Sequence, residues 1–158
     1  MAYLRRIVEA GFSGVYVDKV DAYEYWADSL GTAEAARRMS SLIKEIADSC
    51  RAWAGGTCIV VPQNGVDLLL YDPSLYDHVH GWSLEDVLYS SAGDLTPVRN
   101  LKERGKFVLS VEYVYRGALY DVEQYYRRAR ELGLIPYAAD TSRRLDSPVI
   151  IPGVQPRH

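Results

Sequence analysis

The chain has 158 residues, 48% of them apolar, and a formal net charge of −3. That length can bury one core and fits a single domain over residues 1–158. Acidic and basic residues are interspersed, so there is no electrostatic footprint for nucleic acid or an anionic membrane, and no run approaches the ~18 apolar residues of a bilayer span.

Residues 2–10 place Leu4, Ile7 and Val8 on one side, predicting a short amphipathic helix rather than an apolar export segment, with Gly11 as its stop. Gly14-Val15-Tyr16-Val17 reads as a buried strand ending at Asp18, followed by a loop of acids and aromatics through Gly31. Thr32 is placed to cap a helix carrying Ala36, Met39, Ile43, Ile46, Cys50 and Trp53 at spacings of three and four, which Gly55-Gly56 ends. A second continuous apolar strand covers 57–61 and closes in Pro62-Gln63-Asn64-Gly65. A short helix is expected over Val66–Tyr71, and a weak third strand over 78–82 (HVHGW), leading to Ser83, Leu84 and Glu85.

Pro97–Arg104 predicts a helix, and Phe107–Val111 a strong fourth strand ending at Glu112 and Tyr113. Leu119, Val122, Tyr126, Ala129 and Leu132 mark the last helix, and 135–139 a fifth strand. The tail from Asp140 has no periodicity and is expected to wrap irregularly. Cys50 and Cys58 fall on different elements without metal-ligand spacing, and each reads as a small buried apolar residue.

Helices alternating with continuous apolar strands predict a parallel α/β fold in which crossover helices cover the sheet. Such folds collect their working residues at the C-terminal ends of the strands. Those ends carry Asp18, Asn64, Glu85, Glu112 and Asp140. Turn and cap preferences alone put acids after strands, but recurrence at one structural position on every strand is harder to assign to loop composition.

Paired carboxylates serve glycosidic hydrolysis, with one protonated acid and one ionised nucleophile or base, or they bind Mg²⁺ or Ca²⁺. The Asp18/Asp21 spacing is too common to indicate a metal. His78 and His80 would share a strand face but lack a third zinc ligand nearby, so no metal or other cofactor is expected. Neither a phosphate-binding glycine loop nor a Gly-x-Ser-x-Gly elbow is present. Thirteen tyrosines against two phenylalanines suit a wet groove that binds hydroxyls. Tyr16, Tyr23, Tyr25, Trp26, Trp82, Tyr89, Tyr113, Tyr115 and Tyr137 lie in or just beyond the strands. About half of them belong to the core on composition alone, Tyr16 first among them; the rest suit stacking on pyranosides, and a cationic amino sugar fits a cleft of acids and rings.

GFSGVYVDKVDAYEYW (residues 11–26) closely resembles the GFDGVYLD-x-VDAYEYW segment of the glycoside hydrolase family 114 endo-α-1,4-polygalactosaminidases and their prokaryotic relatives. VVPQNGVDLL from Val60, HGWSLEDVLYS (80–90), GKFVLSVEY (105–113) and LIPYAADTSRRLD (134–146) fit the same family in the same order. The resemblance implies a (β/α)8 barrel hydrolysing α-1,4-linked galactosamine polymers. By motif position its pair is Asp18, as nucleophile or stabilising carboxylate, and Glu85, as general acid. Substrate contacts are then expected from Tyr16, Asp21, Tyr23, Asn64, Trp82, Glu112, Tyr113 and Tyr137. Two departures stand out: Ser13 replaces the family's Asp, and HGWSLED replaces a segment more like DGVGRED.

A complete barrel takes about 250 residues and eight strands, whereas five strands are legible here. By motif order the chain starts before strand four. Strands one to three are therefore expected in a longer reading frame, in a protein of which this is a piece, or in a partner chain, a second copy included. The resemblance also implies export. The expected partner is an amino-sugar polysaccharide or oligosaccharide. The alternative is a remnant that binds carbohydrate without turning it over.

Overall fold

The computed structural model describes residues 1–90, 95–114 and 119–140. Its elements run α1 (Ala2–Glu9), β1 (Gly14–Val17), a 3₁₀ segment (Val20–Trp26), α2 (Ala27–Leu30), α3 (Thr32–Trp53) and β2 (Ile59–Pro62). They continue with α4 (Leu68–Tyr71), α5 (Leu75–His78), β3 (Gly81–Glu85), α6 (Val87–Ser90), α7 (Thr96–Glu103), β4 (Phe107–Val114), α8 (Leu119–Glu131) and β5 (Ile135–Asp140).

All strand pairs are parallel. β1 pairs with β2 from Gly14 opposite Ile59 to Val17 opposite Pro62, and β4 lies between β3 and β5. The two groups are joined where Gln63 bridges Ser83, His80 N–H donates to the Val60 carbonyl (3.0 Å), and Asn64 N–H donates to the Ser83 carbonyl (2.8 Å). The spatial order is thus the chain order. Gly14 and Gly81 open β1 and β3 where a side chain has no room: a Cβ at Gly14 would sit 2.3 Å from the Ile59 carbonyl oxygen, and one at Gly81 2.5 Å from that of Phe107.

The largest core lies between strands and helices and includes Ile43, Leu68, Leu75, Trp82, Leu84, Leu101, Val108, Tyr125 and Tyr126. Each fully buried aliphatic side chain there contributes about 1.5–3 kcal/mol of transfer free energy. Tyr125 and Tyr126 are buried but polar at the tip. Tyr125 Oη donates to the Ser110 carbonyl (2.6 Å), and Tyr126 Oη accepts the Ala138 N–H (3.2 Å), so α8 is pinned to β4 and β5. Several of the thirteen tyrosines therefore serve packing.

A second cluster joins Leu4, Ala47, Cys50, Cys58 and Val60. Here the expectation of two independent buried thiols is corrected: Cys50 and Cys58 form a disulfide with a Cα–Cα distance of 5.7 Å. The last turn of α3 and the approach to β2 converge across the Gly55-Gly56 turn, a proximity that assigning the residues to separate elements concealed.

Other expectations shift. The aromatic loop after Asp18 is helical, entered through Lys19 in a left-handed conformation (φ 56°). Gly31 occupies the N-cap position of α3, and Thr32 is its first helical residue. The third strand starts at Gly81, because Leu75–His78 closes a helical turn. His78 and His80 therefore do not share a strand face: His78 lies 3.2 Å from Asp48, and His80 Nδ1 accepts the Val60 N–H. Burial, with help from Arg51 and Lys106, holds the His80 imidazole below its ordinary range. Tyr115 and the tail 141–158 lie outside the described residues, as do the side chains of Tyr89 and Asp140.

Candidate active site

Strand alternation decides which predicted residues meet. Successive side chains on a strand point to opposite faces. One face presents Tyr16 and then Asp18 beyond β1, Val61 and then Gln63 beyond β2, Ser83 and Glu85 on β3, Val111 and Tyr113 on β4, and Tyr137 on β5. At the C-terminal ends of the strands Tyr16, Asp18, Gln63, Glu85, Val111, Tyr113 and Tyr137 line a cavity of about 650 Å³, together with Lys19, Asp21 and Asn64. Of the predicted residues, the structure thus brings together Tyr16, Asp18, Asp21, Asn64, Glu85, Tyr113 and Tyr137.

The same alternation removes two others. Trp82 is 0% exposed on the opposite face, and its Nε1 donates to the Asn64 carbonyl (2.6 Å), so its ring offers no stacking surface. Glu112 lies inside β4 rather than beyond it. It is 1% exposed on the helix-covered face, and its Oε1 accepts the Leu88 N–H (2.7 Å). Tyr23 is also withdrawn: the 3₁₀ segment turns its ring into the core, and its hydroxyl donates to Asp67. Burial and that bond push the Tyr23 hydroxyl far above its ordinary value. Tyr16 corrects in the other direction, since it is 48% exposed rather than core. Its hydroxyl donates to Ser83 Oγ (2.6 Å), and burial, backed by the Glu85 and Asp18 charges, raises its value despite that bond.

Glu85 is held from several directions. Its Oε2 accepts Gln63 Nε2 (2.8 Å) and Asn64 Nδ2 (3.4 Å), its Oε1 accepts Tyr113 Oη (2.5 Å), and its backbone N–H donates to Asn64 Oδ1 (2.9 Å). Asn64 reaches these groups from a left-handed backbone (φ 61°), which Asn adopts at lower cost than most residues. Gln63 was missed because Pro62-Gln63-Asn64-Gly65 reads as a turn. Alternation with Val61 was the available signal. Asp18, by contrast, is exposed beyond β1, and its Oδ1 accepts the Lys19 N–H (2.8 Å).

A neighbouring recess of about 450 Å³ shares Asp21, Asn64 and Glu85 with the cleft and adds Glu24 and Asp67. Burial, followed by the Asp67 and Asp21 charges, raises the Glu24 carboxyl. The opening is acidic, with Lys19 as the cation among the described residues of its wall. Among the described residues, no group of three or more His, Cys, Asp or Glu is arranged to hold a metal ion.

The parallel α/β array has counterparts among known proteins. The glycoside hydrolase domain of PelA from Pseudomonas aeruginosa superposes with a TM-score of 0.67 at 14% identity, covering 89% of this chain and 58% of that domain. A glutamate-to-alanine variant of that domain gives 0.66. The likeness places this parallel α/β array in the TIM-barrel type, of which the described residues supply five strands. An uncharacterized protein of Thermotoga maritima is 34% identical over 98% of this chain, and one of Methanocaldococcus jannaschii, MJ1477, is 38% identical over 92%. The chain spans about half the length of the curated relatives it matches, 53% and 47% for these two. The profile of glycoside-hydrolase family GH114 matches residues 1–154. The chain belongs to glycoside hydrolase family GH114.

Proposed function

We propose that the cleft hydrolyses glycosidic bonds of an amino-sugar polysaccharide, α-1,4-linked galactosamine in type, with Asp18 and Glu85 as its working pair. The observation that carries this reading is the cavity of about 650 Å³ at the strand ends, lined by both carboxylates and by Tyr16, Tyr113 and Tyr137. A clamped Glu85 suits the general acid, which must meet the leaving-group oxygen in one geometry. Asp18, open to the cleft, suits the nucleophile or the carboxylate that stabilises the oxocarbenium-like transition state. The acidic lining favours a protonated amine on the sugar, and the tyrosines supply ring faces and hydroxyl partners.

A second reading, binding without turnover, is favoured by the exposure of Asp18 and by its single hydrogen bond among the described residues. Reducing-end release from partly deacetylated galactosaminan oligomers, with calorimetric binding on the same samples, separates the two. Hydrolysis by the wild type that is lost in both Asp18→Asn and Glu85→Gln, with binding retained, supports the first. Binding without hydrolysis in all three proteins supports the second, and neither binding nor hydrolysis by the wild type refutes both.

A further inference from the structure

We propose that Oε1 is the proton-carrying oxygen of Glu85 and that Tyr113 is the positioning residue that holds it. This rests on the reading of Glu85 as a general acid and extends it to one atom and one partner. The two carboxyl oxygens have different surroundings. Oε2 faces the amide nitrogens of Gln63 (2.8 Å) and Asn64 (3.4 Å). The Asn64 amide cannot be reversed without loss, because its Oδ1 is the acceptor for Glu85 N–H and a reversed amide would set donor against donor. With the Gln63 and Asn64 amides oriented as they are in the structure, a proton on Oε2 would point at N–H groups that cannot accept it. Oε1 faces the hydroxyl of Tyr113, which both donates and accepts.

The protonated carboxyl therefore carries its hydrogen on Oε1, where the Tyr113 oxygen can accept it or a bound leaving-group oxygen can take Tyr113's place. In the acid step the Glu85 O–H bond breaks and the proton passes to the glycosidic oxygen. That oxygen keeps the electron pair of the departing C–O bond. The Tyr113 hydroxyl then turns to donate to the new carboxylate, with Gln63 and Asn64 already on the other oxygen. Val111 and Tyr113 share the cleft face of β4, so strand register rather than a loop sets the hydroxyl's position.

Tyr113→Phe keeps the ring and removes the hydroxyl. Its kcat is expected to fall about tenfold, the scale of one lost hydrogen bond to a charged group, with KM nearly unchanged. A rise in KM alone, with kcat in place, would make Tyr113 a substrate contact and overturn the assignment. A second measurement needs no turnover: the Glu85 δ-carbon resonance, identified by its absence from Glu85→Gln, is recorded in ¹³C-glutamate-labelled protein. It is expected to shift in Tyr113→Phe, and an unmoved resonance overturns the proposal. A wild type that never cleaves substrate sinks the hydrolase reading, while this resonance still tests the Tyr113 contact on Glu85.

Discussion

Replacing Asn64 tests whether the cleft is assembled as described. Its side chain makes two hydrogen bonds to Glu85, and its backbone sits at φ 61°. Asn64→Gly deletes both side-chain bonds but accepts the left-handed backbone freely. The main loss is the acceptor for Glu85 N–H, which at a half-buried position costs about 1 kcal/mol. The longer contact to Oε2 adds little, since Gln63 still holds that oxygen. Asn64→Ala loses the same bonds and adds the left-handed penalty of a Cβ, about 1 kcal/mol more.

The expected stability order is wild type, then Gly, then Ala, in steps of about 1 kcal/mol each, or about 3 °C in Tm for a chain of this size. Urea unfolding followed by tryptophan fluorescence measures both steps, with equal slopes required for the comparison. The sequence-only alternative, in which Asn64 is an exposed turn residue with only a backbone preference, places Gly level with wild type. Gly matching wild type would refute the side-chain clamp, and Ala matching Gly would refute the left-handed backbone.

Two further perturbations bear on the frame around the cleft. Removing the Cys50–Cys58 disulfide by a double change to Ala opens a loop with a separation of 8 residues, for which chain entropy predicts a loss of about 2.5 kcal/mol; a thiol reagent that titrates two cysteines in the unfolded, unreduced chain would show there was no bridge to remove. At Asp72, burial opposes the charge, but bonds from Lys44 (2.5 Å) and Ser74 (2.7 Å) outweigh it and hold the carboxyl below its usual 3.8. A carboxyl lowered by folding contributes stability above its unfolded value and loses it as pH falls through the lower, folded one. Asp72→Asn should therefore lower the unfolding midpoint at pH 7 and narrow its gap to wild type in strong acid; a gap that is constant with pH would count against the ion pair.

Local pattern carried much of the architecture. Continuous apolar runs located β1, β2, β4 and β5, three-and-four spacing located α3 and α8, and the acids at strand ends pointed to one rim of the sheet. Motif order then reached the family. These features are legible because they depend on neighbours within a few residues, which a linear string displays directly. The third strand was displaced because Leu75–His78 had enough local preference to close a turn, leaving Gly81 to begin the pairing with Phe107.

Tertiary structure alone decided which side of each strand faces the cleft. With a side-chain period of two, the offset of a single residue separates Glu85 from Leu84 and Tyr113 from Glu112. Parallel register then set Gln63 and Asn64 beside Glu85, and the turn between α3 and β2 brought Cys50 to Cys58. From sequence alone Trp82 and Glu112 had equal standing with Tyr113, because an isolated strand does not reveal which face will be covered by helices. Pairing among distant segments resolves that choice, since only one register buries Trp82 and Glu112 while leaving Glu85 and Tyr113 on the open rim.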